Sequence, residues 1–168
     1  HIASYLKQNR LFCKISKENP RLSRIIEITG HHEFGPQRHY INTGNHHEIQ
    51  EIRSRWDEGH EVEACARYWS SIYSFVADQL ASNPKLRHQV LLVRYEDLCT
   101  DSADTIDRIV EHTGLDASSF SAIKAEYIEK LQPPGYYKQK FDAEEQKTLL
   151  EIVGPTASRF GYHFHEHQ

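Results

Sequence analysis

The sequence predicts an α/β domain, a parallel sheet flanked by helices, of which this chain holds the mostly helical part. Three observations predict it. Val90-Leu91-Leu92-Val93 is a run of consecutive apolar residues, the pattern of a strand covered on both faces. Helical periodicity dominates elsewhere, most clearly over 61–82,. A buried strand also needs neighbours for its backbone groups. No other segment reads as a convincing strand, so the N-terminal strands of the sheet are expected upstream of His1. Residues 1–168 are read as a single domain, the C-terminal part of that fold.

The elements follow in order. Residues 2–17 predict a helix, with Ile2, Tyr5, Leu6, Phe12 and Ile15 on one face,. Pro20 suits the first turn of a second helix that carries Leu22, Ile25 and Ile26 and stops near Gly30,. Residues 30–47, rich in Gly, Asn and His, predict a loop,. A short helix over 48–59 is closed by Gly59. Over 61–82, Val62, Cys65, Trp69, Ile72, Tyr73, Val76 and Leu80 keep helical spacing until Asn83-Pro84,. The strand spans Gln89 to Tyr95, and its C-terminal end, where open sheets place ligands, delivers Tyr95-Glu96-Asp97,. Helices follow over 102–113, stopped by Gly114, and over 117–130,. Asp142 with Glu145 predicts a capping box for a last helix that Gly154-Pro155 breaks,.

Composition narrows the class. With 168 residues, 38% hydrophobic and 26% charged, the chain is long enough for a real core,. No apolar run approaches the roughly 18 residues of a membrane span, and no signal peptide is visible. A net charge of −4 argues against nucleic-acid binding through phosphates,. Three widely spaced cysteines, Cys13, Cys65 and Cys99, read as reduced thiols, which suggests a cytoplasmic protein,. Methionine is absent, which suggests a fragment. The histidines pair as His31-His32 and His46-His47 without the i, i+4 spacing of a helical zinc motif, so no native metal site is expected,.

Val90-Leu91-Leu92-Val93-Arg94-Tyr95-Glu96-Asp97-Leu98, followed by Asp101-Ser102, Ile109-Val110 and Gly114-Leu115, resembles the PAPS-dependent sulfotransferase superfamily. The Gly161-Tyr162 ending and the opening Ile2-Ala3-Ser4-Tyr5-Leu6 fit the same resemblance, and Gly30 to Gly35 is similar to a segment of some bacterial members. The resemblance implies a three-layer, P-loop-like α/β fold and transfer of a sulfuryl group from 3′-phosphoadenylyl sulfate (PAPS) to an acceptor hydroxyl or amine. Adenosine 3′,5′-bisphosphate is then the product, and the acceptor a small molecule or carbohydrate. It implies Ser4 on the 3′-phosphate, Tyr95 near the adenosine, and Lys138 and Lys140 in a basic loop over the nucleotide. The phosphosulfate loop, the 3′-phosphate arginine and the family's usual base would lie upstream, so the chain alone is not expected to catalyse transfer.

His31, His32 and Glu33 are the local candidates for acid–base work on the acceptor, since a histidine titrates near neutrality,. Arg38, His39 and Tyr40 continue that loop and would shape the acceptor pocket. Glu96 and Asp97, at a strand end, point apart and read as structural acceptors of hydrogen bonds,. Two alternatives remain open: a P-loop-related nucleotide kinase or phosphotransferase, and a non-enzymatic helical interaction module. A homodimer is also left open.

Overall fold

Asparagine and proline punctuate the chain, and three helices begin at one of them. The computed structural model describes residues 1–28, 32–133 and 141–163, apart from the side chains of 26 and 27. Helix α1 (Ile2–Glu18) ends at Asn19, whose side-chain oxygen accepts the amide of Leu22 and so caps α2 (Pro20–Ile28),. Asn45 likewise accepts the amide of Glu48 and starts α3 (His46–Asp57). Gly59, with φ at +87°, turns the chain into α4 (Glu61–Ser82),. Asn83 caps α5 (Pro84–Gln89) through the amides of Lys85 and Leu86. Then come α6 (Tyr95–Thr100) and α7 (Ser102–Thr113), the latter stopped by left-handed Gly114. A 3₁₀ turn over Ala117–Phe120 leads into α8 (Ser121–Ile128). The Asp142/Glu145 capping box forms and opens α9 (Ala143–Ser158).

The α/β expectation is overturned. Every regular element among the described residues is helical, and no strand or sheet is present. Val90 and Arg94 do have extended backbones. Among the described residues, however, no chain lies alongside to hydrogen-bond the main chain of Leu91, Leu92 and Val93. An extended segment without a ladder partner is not a strand. Its side chains are not enclosed either: Leu92 is 49% exposed. A continuous apolar run signals burial only when something covers it, and the same run sits here as a connection between two short helices. The three-layer, P-loop-like sheet falls with it.

Two smaller expectations change as well. Tyr95-Glu96-Asp97 forms the first turn of α6, not a strand end. And α9 runs through Gly154-Pro155. Contacts from α4 hold that turn: Ser70 Oγ donates to the Ile152 carbonyl (3.0 Å), Ser74 bonds Thr156 (2.8 Å) and Arg159 reaches Asp78 (2.6 Å).

The chain divides into two compact units, residues 1–79 with 139–168, and residues 80–138. In the first, Leu6 of α1, Ile49, Ile52 and Trp56 of α3, and Val62, Cys65 and Tyr68 of α4 make the core, with Phe141 and Leu149 packed against it. In the second, α7 packs on α6 and α8, and the buried Thr105 hydroxyl donates to the Asp97 carbonyl at 3.3 Å. Among the described residues no helix is long and apolar enough to cross a membrane.

Candidate functional site

Tyr5, Asn9 and Phe12 lie at i, i+4 and i+7 on α1, so they share one face,. That face holds the loop after residue 31. The Tyr5 hydroxyl donates to the Glu33 carbonyl at 2.7 Å. Phe34 packs between Tyr5 (5.1 Å between ring centroids) and Phe12 (5.3 Å). Gly35 donates its amide to the side-chain oxygen of buried Asn9 at 2.9 Å. With φ at +87°, this position favours glycine,. The loop then closes on itself: the His39 amide donates to the His32 carbonyl, and the two imidazoles stack 5.1 Å apart.

His32 and Glu33 are thus fixed beside the N-terminal half of α1, with both side chains exposed. Ser4 is the third residue of that helix and is half-buried. Among the described residues its hydroxyl has no hydrogen bond, and the first turn of α1 contains no acidic residue. The amides of a helix's first turn lack intrahelical partners, and the helix dipole adds partial positive charge there. His1, in the N-cap position, supplies no side-chain bond to them.

Behind the loop, Tyr5, Tyr40, Trp56 and Tyr68 form an aromatic cluster. Tyr40 meets Tyr68 edge-on at 5.2 Å, and the Ile41 amide donates to the Tyr68 hydroxyl at 3.0 Å. Tyr5 lies 6.4 Å from Trp56 and 6.3 Å from Tyr68. Burial pushes the Tyr5 phenol well above its ordinary range, so it is a hydrogen-bond donor at neutral pH and not a base,. Burial also pushes the Cys65 thiol up to about 12. Cys65 is therefore a core side chain with no nucleophilic role at neutral pH. Two consequences are expected. Iodoacetamide at about pH 8 leaves Cys65 unmodified in the folded chain and alkylates it in urea, read by peptide mass spectrometry. Because the folded thiol holds its proton more tightly than an ordinary cysteine near pH 8.5, its stabilising contribution is complete below that pH and is lost as pH rises toward about 12,.

In the second unit Tyr95 opens α6, and its hydroxyl donates to the Gln132 carbonyl at 3.2 Å. Arg94 grips Asp97 with two donors, one at 2.7 Å, which holds that carboxyl below the usual carboxylate range. Asp97 therefore positions the start of α6. His31, Lys138 and Lys140 lie outside the described residues.

The structure therefore brings Ser4's helix together with His32 and Glu33. Reading by sequence missed Asn9, Phe34 and Gly35 as the parts that hold this arrangement. The available signal was a lone asparagine in the middle of an otherwise aromatic stripe on α1. Among the described residues, no three His, Cys, Asp or Glu side chains gather as a metal site would require. No family model matches this chain, and no curated protein or solved structure matches it.

Proposed function

We propose that the chain is part of a PAPS-dependent sulfotransferase and supplies nucleotide and acceptor contacts for sulfuryl transfer. In that reaction an acceptor oxygen or nitrogen forms a bond to sulfur as the sulfur–oxygen bond to the 5′-phosphate breaks. Adenosine 3′,5′-bisphosphate leaves, and a base takes the acceptor's proton. The observation that carries the reading is Ser4: a hydroxyl with no hydrogen bond among the described residues, in the acid-free first turn of α1, where the helix dipole favours a phosphate,. His32 and Glu33, pinned beside the same helix, are the proposed acid–base pair for the acceptor.

Calorimetric titration tests it. Adenosine 3′,5′-bisphosphate is expected to bind, and adenosine 5′-phosphate to bind more weakly. Ser4→Ala is expected to weaken the first about tenfold, the scale of one lost hydrogen bond to a charged group. Equal binding of both nucleotides, or a preference for ATP, favours a kinase-type phosphotransferase instead. A second reading, a non-enzymatic helical interaction module, draws on the all-helical described residues and on the exposed apolar side chains Val90, Leu92 and Tyr95. It predicts no response to either nucleotide in a chain that still melts cooperatively.

A further inference from the structure

Two guanidinium groups converge on Tyr40 with no carboxylate between them. Arg38 lies over the buried Trp56 ring, its guanidinium carbon 4.1 Å from the centroid. Its Nε donates to the Tyr40 hydroxyl at 2.8 Å and its Nη1 to the Gly35 carbonyl at 2.9 Å. Arg53, one turn before Trp56 on α3, places its guanidinium 5.5 Å from the centre of the Tyr40 ring.

Five other arginines are paired with carboxylates. Arg10 pairs with Glu61, Arg55 with Glu58 and Glu63, Arg67 with Glu63, Arg94 with Asp97 and Arg159 with Asp78. Among the described residues Arg38 and Arg53 form no ion pair. Asp57 is the carboxylate whose charge reaches Tyr40, and it lies beyond ion-pair distance of both.

The hydrogen-bond count around Tyr40 is lopsided. A guanidinium has five N–H donors. Arg38 commits two groups and keeps Nη2, while Arg53 makes no hydrogen bond among the described residues. The Tyr40 oxygen is occupied as an acceptor, which leaves its own hydrogen to be donated. Beneath Arg38, the buried indole N–H of Trp56 has no partner among the described residues. This is a surplus of donors and positive charge on a rigid aromatic floor. Stacking on Trp56 and the bond to Gly35 already hold Arg38 in place, so a ligand need order little more than Arg53.

We propose that Arg38, Tyr40 and Arg53 form a binding site for an oxyanion group, a carboxylate or a sulfate, carried by a small ligand. The fork of a guanidinium matches two oxygens of either group, and the phenol supplies a further donor. The site stands on this geometry alone and does not require the sulfuryl-transfer reading. Under that reading, the anion belongs to the acceptor, because the loop that carries Arg38 and Tyr40 also carries His32 and Glu33.

The chain's two tryptophans provide the test. In a proton–nitrogen correlation spectrum they give two indole signals, and Trp69→Phe assigns them. Sodium acetate and sodium sulfate are titrated separately against sodium chloride at matched ionic strength. A saturable shift of the Trp56 indole with acetate, sulfate or both, absent with chloride, is expected. Saturation by acetate alone marks a planar carboxylate site, and saturation by sulfate alone a tetrahedral one. Arg53→Gln is expected to weaken the binding about tenfold, while Arg55→Gln, whose arginine is already paired, leaves it unchanged. Arg53 is exposed, so its loss does not endanger the fold. The proposal is overturned if neither anion moves the Trp56 signal more than chloride does, or if Arg53→Gln binds like the parent chain.

Discussion

Leu6→Ala is expected to lower the unfolding free energy of the first unit by about 2–5 kcal/mol, the usual range for deleting a buried leucine side chain. Leu6 is 0% exposed and belongs to the cluster formed with Ile49, Ile52, Trp56, Val62, Cys65 and Tyr68. It is the one fully buried aliphatic residue that α1 contributes to that cluster. Small domains are stable by about 5–15 kcal/mol in all, so the loss would be a large share. Urea denaturation followed by tryptophan fluorescence reads it directly, because Trp56 lies in the same cluster. Leu11→Ala, at a half-exposed site on the same helix, should change stability far less,. A Leu6→Ala midpoint within error of the parent would mean that α1 is not docked on α3 and α4.

Asn9→Ala carries the second large effect, about 1–3 kcal/mol, for a different reason. Asn9 is 1% exposed, and its oxygen is the acceptor for the Gly35 amide. Alanine removes the acceptor and leaves a buried N–H with nothing to bond. The damage should be local before it is global. Hydrogen exchange at the Gly35 amide is expected to accelerate sharply, while amides in the middle of α4 keep their protection. Because Gly35 anchors the turn that carries His32 and Glu33, the same variant would loosen the proposed acid–base pair. Unchanged exchange at Gly35 would show that the loop is held by Phe34 packing alone.

The elements that could be read from the sequence are those whose signals are local. The apolar spacing of Val62, Cys65, Trp69 and Ile72, with Asn83-Pro84 as a stop, placed α4 almost to the residue. Asp142 and Glu145 announced α9, since a capping box is complete within four residues,. The failures depend on distant partners. Val90 to Val93 has the composition of an interior strand, but a strand exists only with a neighbour, and composition cannot supply one. Gly154-Pro155 normally ends a helix, yet Ser70, Ser74 and Asp78, more than seventy residues earlier in the chain, hold its last turn in place. At the candidate site, His32 and Glu33 stood out by residue type and Ser4 by the family resemblance. What fixes the loop to the helix, Asn9 on Gly35 and Tyr5 on Glu33, joins residues 26 and 28 positions apart and left no trace in local pattern.

The link between α5 and α6 bears on how the molecule behaves in company. The main chain of Leu91, Leu92 and Val93 has no hydrogen-bond partner among the described residues, on an apolar stretch whose Leu92 is 49% exposed and which Arg94 follows. Water satisfies those groups in dilute solution. As molecules crowd together, any other straightened peptide can replace that water, and the apolar side chains reward the exchange. Arg94 beside this stretch is already engaged by Asp97, so its charge does little to oppose such self-association,.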